Sequence, residues 1–447
     1  MKATSREATP TAVTVERRSK QVGDTRPRWA WVEPAVWTER MVSALEEGVK
    51  GGLGFSLMDK VYAPRAMTAA WERVRRNRGC GGVDGETVEQ FAREAENRLR
   101  ELSERLKKGT YRPLPVRRVY IPKPEGRRRP LGIPAVRDRI VQAALRNVLE
   151  PIFEREFSPH SYGFRPGRSA KDALRRVDGL LRDGHRYVVD VDLKSYFDTI
   201  PHQRLMALVE GRVADGRVLG LIRAFLEQGV LEDMKEWNPI QGTPQGAVIS
   251  PLLANLYLHP LDVQMRETGY EMVRYADDFV VLCRTAEEAE RAMRVVAQWV
   301  ESAGLTLHPE KTRLVDVNEG GSFDFLGYHF ERDRHWPRSS SLRKFRDAIR
   351  RKTSRTDGRS LERIIADLNP MVRGWFQYFQ HSYRTTFPYL DGWIRMRLRS
   401  ILRKREKRRG RGRGADHHRW PNAFFAAQGL FTMCEAHRRA RQALGAH

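Results

Sequence analysis

Apolar and polar positions alternate with a period of two in RYVVDVDLKSYF, where Val189 and Val191 interleave with Asp190 and Asp192. That is the pattern of a β-strand with one buried face. MVRYADDFVVLC has an apolar arm on each side of two aspartates, as in a tight hairpin. Between these blocks, and again from Thr285 to Ala303, the apolar spacing becomes helical. Upstream, AWERVRRNRGCGGVDG predicts a helix running into a Gly-rich turn, and Glu86 to Lys108 predicts one long surface helix. VRRVYIPKP reads as a strand ended by Pro122 and Pro124. EGRRRPLGIP is a basic turn followed by another extended piece, and Arg137 to Phe153 is a helix with Ile140, Ala144, Leu145 and Leu149 apolar. These elements predict an alternating α/β core.

From about residue 340 the pattern is helical and basic. Leu342, Phe345 and Ile349 share one face of LRKFRDAIRRK, and Ile394, Leu398 and Leu402 recur at i, i+4, i+8. The run RKREKRRGRGRG (403–414) is low-complexity and predicts a flexible basic linker or loop. Residues 1–28 are polar and predict disorder, with Trp29, Trp31 and Trp37 opening the ordered chain. No internal repeat is present.

Charge changes the picture. The 81 Lys and Arg against 56 Asp and Glu give a net +25 in 447 residues, an excess that attracts polyanions. On charge alone, a ribosome-associated or merely soluble basic protein fits as well as a nucleic-acid enzyme. Cys80, Cys283 and Cys434 are scattered with no C-x-x-C pair, so no disulfide framework or zinc ribbon is encoded, and a reduced cytosolic compartment fits. No apolar run approaches the ~20 residues of a membrane span, and the N-terminus lacks the apolar core of a secretory signal.

Phosphoryl transfer from a nucleoside triphosphate needs in-line geometry and charge neutralisation. Two Mg²⁺ ions supply both, and they require hard oxygen ligands. Asp192 at a strand end and Asp277-Asp278 in a hairpin offer three carboxylates on neighbouring strands. Taken alone, an Asp-Asp pair is an ordinary solvated turn and D-x-D on a strand a surface face. The fixed order of several blocks gives these matches their weight.

Those blocks are GVDG (82–85), YRPLPVRRVYIPKPEGRRRPLGIP (111–134), SYGFRPGRSA (161–170), VVDVDLKSYFDTIPH (188–202), GTPQGAVISPLLANLYL (242–258), RYADD (274–278), GLTLHPEKT (304–312) and FDFLGYHF (323–330). In order, they resemble the motifs of group II intron reverse transcriptase/maturases, from about residue 50 to the C-terminus. The resemblance implies an α/β right-hand polymerase of fingers and palm, followed by an all-helical thumb/maturase domain. The expected segments are a partly disordered 1–50 extension, fingers and palm over 51–335, and a helical thumb/maturase region with a basic tail over 336–447.

The implied activity is RNA-directed DNA synthesis on the intron RNA, coupled to assistance in splicing and mobility. Asp192, Asp277 and Asp278 match the metal aspartates, with the Leu193 carbonyl as a further ligand of two Mg²⁺ ions. Asp190, on the same side of its strand, matches no family ligand and takes a supporting or solvent-facing role. Phe197 resembles the gate that excludes a 2′-OH; Tyr196 is the neighbour one register away, and a plain core aromatic is the alternative. Lys123 and Arg129 are preferred over Arg127 and Arg128 as triphosphate contacts. Gln245, in the GTPQG turn, can hydrogen-bond near the base or sugar. Ala247 stands where the family often has glycine, with little consequence expected. Lys311 is a candidate proton donor to pyrophosphate, with a solvated surface lysine as the alternative.

LNPMVRGWFQYF (368–379), LDGWIRMRLRSIL (390–402) and WPNAFFAAQGLF (420–431) resemble the family's thumb and maturase domain. There Trp375, Tyr378 and Phe379 are expected in the core, and the arginines are expected on RNA. His417, His418 and Cys434 lack the paired cysteines of the family's HNH endonuclease and are read as non-ligands, so a primer supplied by the cell is expected. The implied partners are intron RNA, target DNA and primer, and dNTPs, in a bacterial cytoplasm or on the nucleoid, with no membrane. A maturase with a vestigial polymerase and a domesticated relative serving defence or repair remain as rival readings; the intact aspartates argue against the first.

Overall fold

The computed structural model describes residues 26–47, 56–122, 128–232, 235–237, 239–243, 246–332, 334–412 and 414–444. The expected disorder at 1–28 falls almost wholly outside them. Among the described residues the strands are Val116–Pro122 (β1), Arg128–Ile133 (β2), Tyr187–Asp192 (β3), Val230–Glu232 (β4), Lys235–Trp237 (β5), Glu271–Tyr275 (β6), Asp278–Cys283 (β7), Arg313–Asp316 (β8), Ser322–Phe325 (β9), Tyr328–Glu331 (β10) and Arg334–Pro337 (β11). They form three sheets ordered β2-β1-β4-β5, β6-β7-β3-β8 and β11-β10-β9.

The β6-β7-β3-β8 sheet is antiparallel throughout and is covered on both faces. Val189 and Val191 of β3, with Phe279 and Val281 of β7, enter a large core beneath the helices Val136–Glu154, Ser250–Glu267 and Ala286–Ser302. Val188, Val280 and Leu282 point the other way, onto the Ala170–Arg182 helix and the β9–β11 sheet. The alternation therefore separates two buried faces. Asp190 and Asp192 share the face of Val188, and Asp278 shares that of Val280, because side chains repeat every second residue. That face is apolar along the strands and turns acidic at one end.

The described part of the N-terminal segment packs into the same large core: Trp29 and Trp37 are buried, and Trp37 Nε1 donates to the Asn147 carbonyl at 3.0 Å. The expected helix from Glu86 to Lys108 is two helices, Val88–Arg93 and Ala95–Lys108. Thr87 and Gln90 cap the first reciprocally, and Glu94 leaves helical geometry at φ −127°. That local cap and break override the uniform propensity of the segment.

The C-terminal region contains the helices Ser339–Lys352, Leu361–Phe379, Thr386–Arg405 and Met433–Leu444 around a separate core that includes Phe345, Ile349, Ile394 and Leu398. Trp375 stacks on Phe345 at 4.4 Å, Tyr378 donates to the Leu326 carbonyl, and Phe379 is buried, so all three act in packing as expected. The 403–414 run departs from the flexible reading. Its first three residues complete the Thr386–Arg405 helix, Arg403 pairs with buried Asp416 at 2.8 Å, and the Gly412 N–H donates to Ser400. A Cβ at Gly412 would lie 2.4 Å from that of Arg399, so glycine here permits close packing. β11 runs across the expected 335/336 boundary and ties the two regions together. Among the described residues no helix is long and apolar enough to cross a membrane.

Candidate active site

β3 and β7 pair in a register that sets Asp192 directly opposite Asp278. β6 and β7 close on Tyr275 and Asp278, leaving Ala276 and Asp277 as a two-residue hairpin turn. Ala276 takes φ +59°, a left-handed conformation that glycine usually fills in such turns. Gly163 passes so close behind that a Cβ there would lie 2.3 Å from the Ala276 nitrogen. The hairpin thus brings Asp277 and Asp278 beside Asp192, as the spacing predicts.

The cluster is short of countercharge. Burial lifts the Asp278 carboxyl to about 7, and the negative charges of Asp190 and Asp277 add to the effect. Burial lifts Asp190 to about 6, opposed by Arg313 at 3.4 Å. Asp277 is raised as well, by burial and by Asp192, with Arg129 and Arg274 opposing. Arg129 lies in β2 opposite Ile121, so the β1–β2 hairpin places one predicted triphosphate contact within electrostatic reach of the aspartates. Arg128 pairs with Pro122 at the exposed end of that hairpin. Lys123, Arg127 and Gln245 lie outside the described residues.

Lys311 Nζ sits 3.0 Å from Asp192 Oδ2 in an ion pair whose lysine remains exposed. Asp192's carbonyl accepts from His308 N at 2.8 Å, and Lys194 N donates to Thr306 at 2.9 Å. These two bonds flank Leu193 and leave its carbonyl outside the pairing. Among the described residues no three His, Cys, Asp or Glu side chains are gathered closely enough to hold a metal as they stand. The donor set nevertheless fits Mg²⁺: the oxygens are hard, and Asp277 and Asp278 are raised in pKa by burial and by neighbouring carboxylates, which a divalent cation relieves.

Tyr196 and Phe197 open the short helix Tyr196–Thr199, entered through Ser195 at φ +51°. Tyr196 is fully committed to the core, its hydroxyl donating to the Ala254 carbonyl at 2.6 Å. Phe197 is also buried, at 7 % exposure, and its carbonyl accepts from Thr243 N at 2.7 Å. Gly242 and Gly246 allow the 242–246 turn to press on Asp198 and on β2, where a Cβ would meet backbone at 2.7 and 2.5 Å. Arg118, Pro130, Gly132, Asp198, Gly242 and Thr243 line a cavity of about 250 Å³ between that turn and the β1–β2 hairpin. Ala247 is buried.

Sequence reasoning overlooked what holds the hairpin. Arg274, with no exposed surface, pairs with Asp262 through both carboxylate oxygens and donates to Asn255 Oδ1 at 3.0 Å and the Ala276 carbonyl at 2.9 Å. Asn255 Nδ2 in turn donates to the Gly163 carbonyl at 2.7 Å. One guanidinium thus joins the turn, the Ser250–Glu267 helix and the 158–165 loop. The available signal was two polar residues seven apart on an apolar helix, hence on one face. Phe164 was also unassigned: φ +58°, 48 % exposed, its ring 6.4 Å from that of Tyr275.

Residues 121–330 match the reverse transcriptase (RNA-dependent DNA polymerase) family, and residues 342–420 match the group II intron, maturase-specific domain. Protein YkfC of Escherichia coli K12 is 37 % identical over 292 residues, 57 % of this chain and 76 % of that protein. Group II intron-encoded protein LtrA of Lactococcus lactis subsp. cremoris is 40 % identical over 202 residues, 44 % of this chain and 33 % of that protein. An uncharacterized 91 kDa protein in the cob intron of Schizosaccharomyces pombe is 46 % identical over 148 residues, 33 % of this chain and 18 % of that protein.

Proposed function

The chain belongs to the group II intron-encoded reverse transcriptases/maturases, RNA-directed DNA polymerases with a maturase role, and from that membership we propose how its residues divide the work. The polymerase copies intron RNA into DNA from dNTPs, extending a DNA primer at the target. The primer 3′-oxygen attacks the α-phosphorus, and the bond to pyrophosphate breaks. Two Mg²⁺ ions, when bound, neutralise the attacking and leaving oxygens. Asp192, Asp277, Asp278 and the Leu193 carbonyl would hold them. The observation that carries this reading is the register of Asp192 against Asp278, with Asp277 in the adjoining turn. Primer extension on an RNA template with dNTPs and Mg²⁺ tests it; no extension by the parent protein overturns it.

Arg129 and Lys123 neutralise the triphosphate, and Gln245 meets the base or sugar. Phe197 excludes the 2′-OH. Its backbone bond to Thr243 supports this role, as does the prior engagement of Tyr196 with Ala254. Phe197→Ala is expected to extend primers with rNTPs. Tyr196→Ala should instead lower stability by roughly 3–5 kcal/mol, the range for emptying a large aromatic site. Ribonucleotide incorporation by the Tyr196 variant with none by the Phe197 variant would shift the gate by one residue.

Lys311 neutralises Asp192, and its ammonium serves as proton donor to the leaving pyrophosphate. Lys311→Ala should slow single-turnover extension by about 10²-fold with an unchanged KM for dNTP. A variant with the parent's single-turnover rate would refute the proton-donor role.

A further inference from the structure

The helix Ala170–Arg182, β11, the 380–384 loop and the helix Met433–Leu444 meet around a cavity of about 320 Å³. Arg182, His335, His381, Arg384, His437 and Arg441 line it, and Arg334 adds its guanidinium stacked over Tyr383 at 4.6 Å. Among the described residues one carboxylate serves this wall: Asp178 pairs with Arg182 at 2.7 Å and lies 3.7 Å from His335 Nδ1. Among the described residues, Arg334, Arg384 and Arg441 have no carboxylate within ion-pair distance. Converging guanidiniums in a concave, partly desolvated wall create a strong positive potential.

The wall is built, not a solvated fringe. The Tyr383 N–H donates to the His335 carbonyl at 2.8 Å and ties the loop to β11. The His335 ring packs on Tyr328 and Phe330 at 5.5 and 5.2 Å, and His437 packs on Phe387 at 4.8 Å. Burial holds His335, His381 and His437 below the ordinary imidazole range, with Arg182, Arg175 and Arg441 among the cations adding to it. The histidines therefore serve as neutral N–H donors, and the arginines carry the charge. Beyond the cavity, the charges of Lys171 and of Arg175, the latter paired with Asp172 at 2.9 Å, also reach His381.

We propose that this cavity binds a phosphate group of an RNA strand, at a site separate from the metal and dNTP residues. Guanidiniums and imidazole N–H groups match phosphate oxygens in charge and direction. The spread of Arg334, Arg384 and Arg441 around one cavity, with Lys171 beyond it, favours a polynucleotide backbone over a free anion. The inference rests on the RNA-binding reading of the family.

The test uses the full chain and a labelled intron RNA fragment in filter binding. Arg384→Ala with Arg441→Ala should raise Kd about 10- to 30-fold at moderate salt and lower the log–log salt slope by about 1. Its kcat at saturating primer–template should match the parent's, which separates loss of this site from failure of the polymerase reading. Arg384→Lys with Arg441→Lys should regain part of the affinity. A control of equal charge change, Arg98→Ala with Arg294→Ala on exposed ion-paired helices, should stay within about twofold of the parent. Equal losses in both double variants, or no loss in the first, overturn the site. Direct binding of pyrophosphate by the parent that is lost in the Arg384/Arg441 variant, together with an unchanged RNA Kd for that variant, would show a free-anion site and overturn the RNA assignment.

Discussion

Asp277→Ala with Asp278→Ala should depress cDNA synthesis by roughly 10³-fold or more, equivalent to about 4 kcal/mol in the barrier. Affinity for intron RNA should stay within about twofold, because the unpaired arginines of the helical region lie elsewhere in the chain. Primer extension and filter binding on the same preparation separate the two quantities; a large loss of RNA affinity would refute the division of labour. The metal-free protein adds an independent readout. Burial and neighbouring carboxylates raise Asp278 from 3.8 to about 7 in the folded state. A carboxyl with a raised folded pKa loses its proton more readily on unfolding, so stability falls as pH rises from about 4 to about 7. In EDTA at pH 8 the double variant should therefore melt at a higher temperature than the parent. Mg²⁺ should narrow that gap by stabilising only the parent. A parent that melts higher than the variant in EDTA would mean that the carboxylates support the fold rather than burden it.

The strands that carry the aspartates were legible because periodicity and turn chemistry agreed. Val189 and Val191 alternate with Asp190 and Asp192, and two apolar arms flank Asp277 and Asp278. The second buried face was less visible, since Val188 and Val280 are indistinguishable by type from their neighbours and only the covering helix and β9–β11 sheet give them a role. The break at Glu94 was hidden because helix propensity is summed over a window, whereas the Thr87–Gln90 cap is one local bond pair. Composition anticipated a loop in the 403–414 run, and residues 406–412 form one, but it hid the close packing of Gly412 against Arg399. Lys311 looked like any surface lysine until the β3–β8 pairing brought its segment to Asp192. Contacts between residues far apart in sequence, 119 positions for Lys311 and Asp192 and 92 for Asn255 and Gly163, leave no periodic trace.

Arg274 shows how far that hidden layer can matter. Its guanidinium has no exposed surface and satisfies Asp262, Asn255 and the Ala276 carbonyl together. Arg274→Met strands a buried Asp262 and should cost about 3–5 kcal/mol of stability, the usual penalty for removing one partner of a buried ion pair. Lysine cannot reproduce the planar fork, so Arg274→Lys should recover only part of it. Arg274→Met with Asp262→Leu removes both charges and should regain most of the stability, because apolar replacement of a buried pair is often neutral. Polymerisation should not return with it. The Ala276 carbonyl still lacks its donor, so the turn carrying Asp277 is no longer held against the Gly163 loop. Small misplacements of reacting groups cost up to about 10²-fold in rate. The folded double variant should therefore show a 10- to 100-fold lower kcat, an unchanged KM for dNTP and a higher Mg²⁺ requirement for half-maximal rate. Recovery of parental kcat and Mg²⁺ dependence along with stability would reduce Arg274 to a packing element. Loss of kcat alone, at parental stability, makes it the residue that positions the catalytic hairpin.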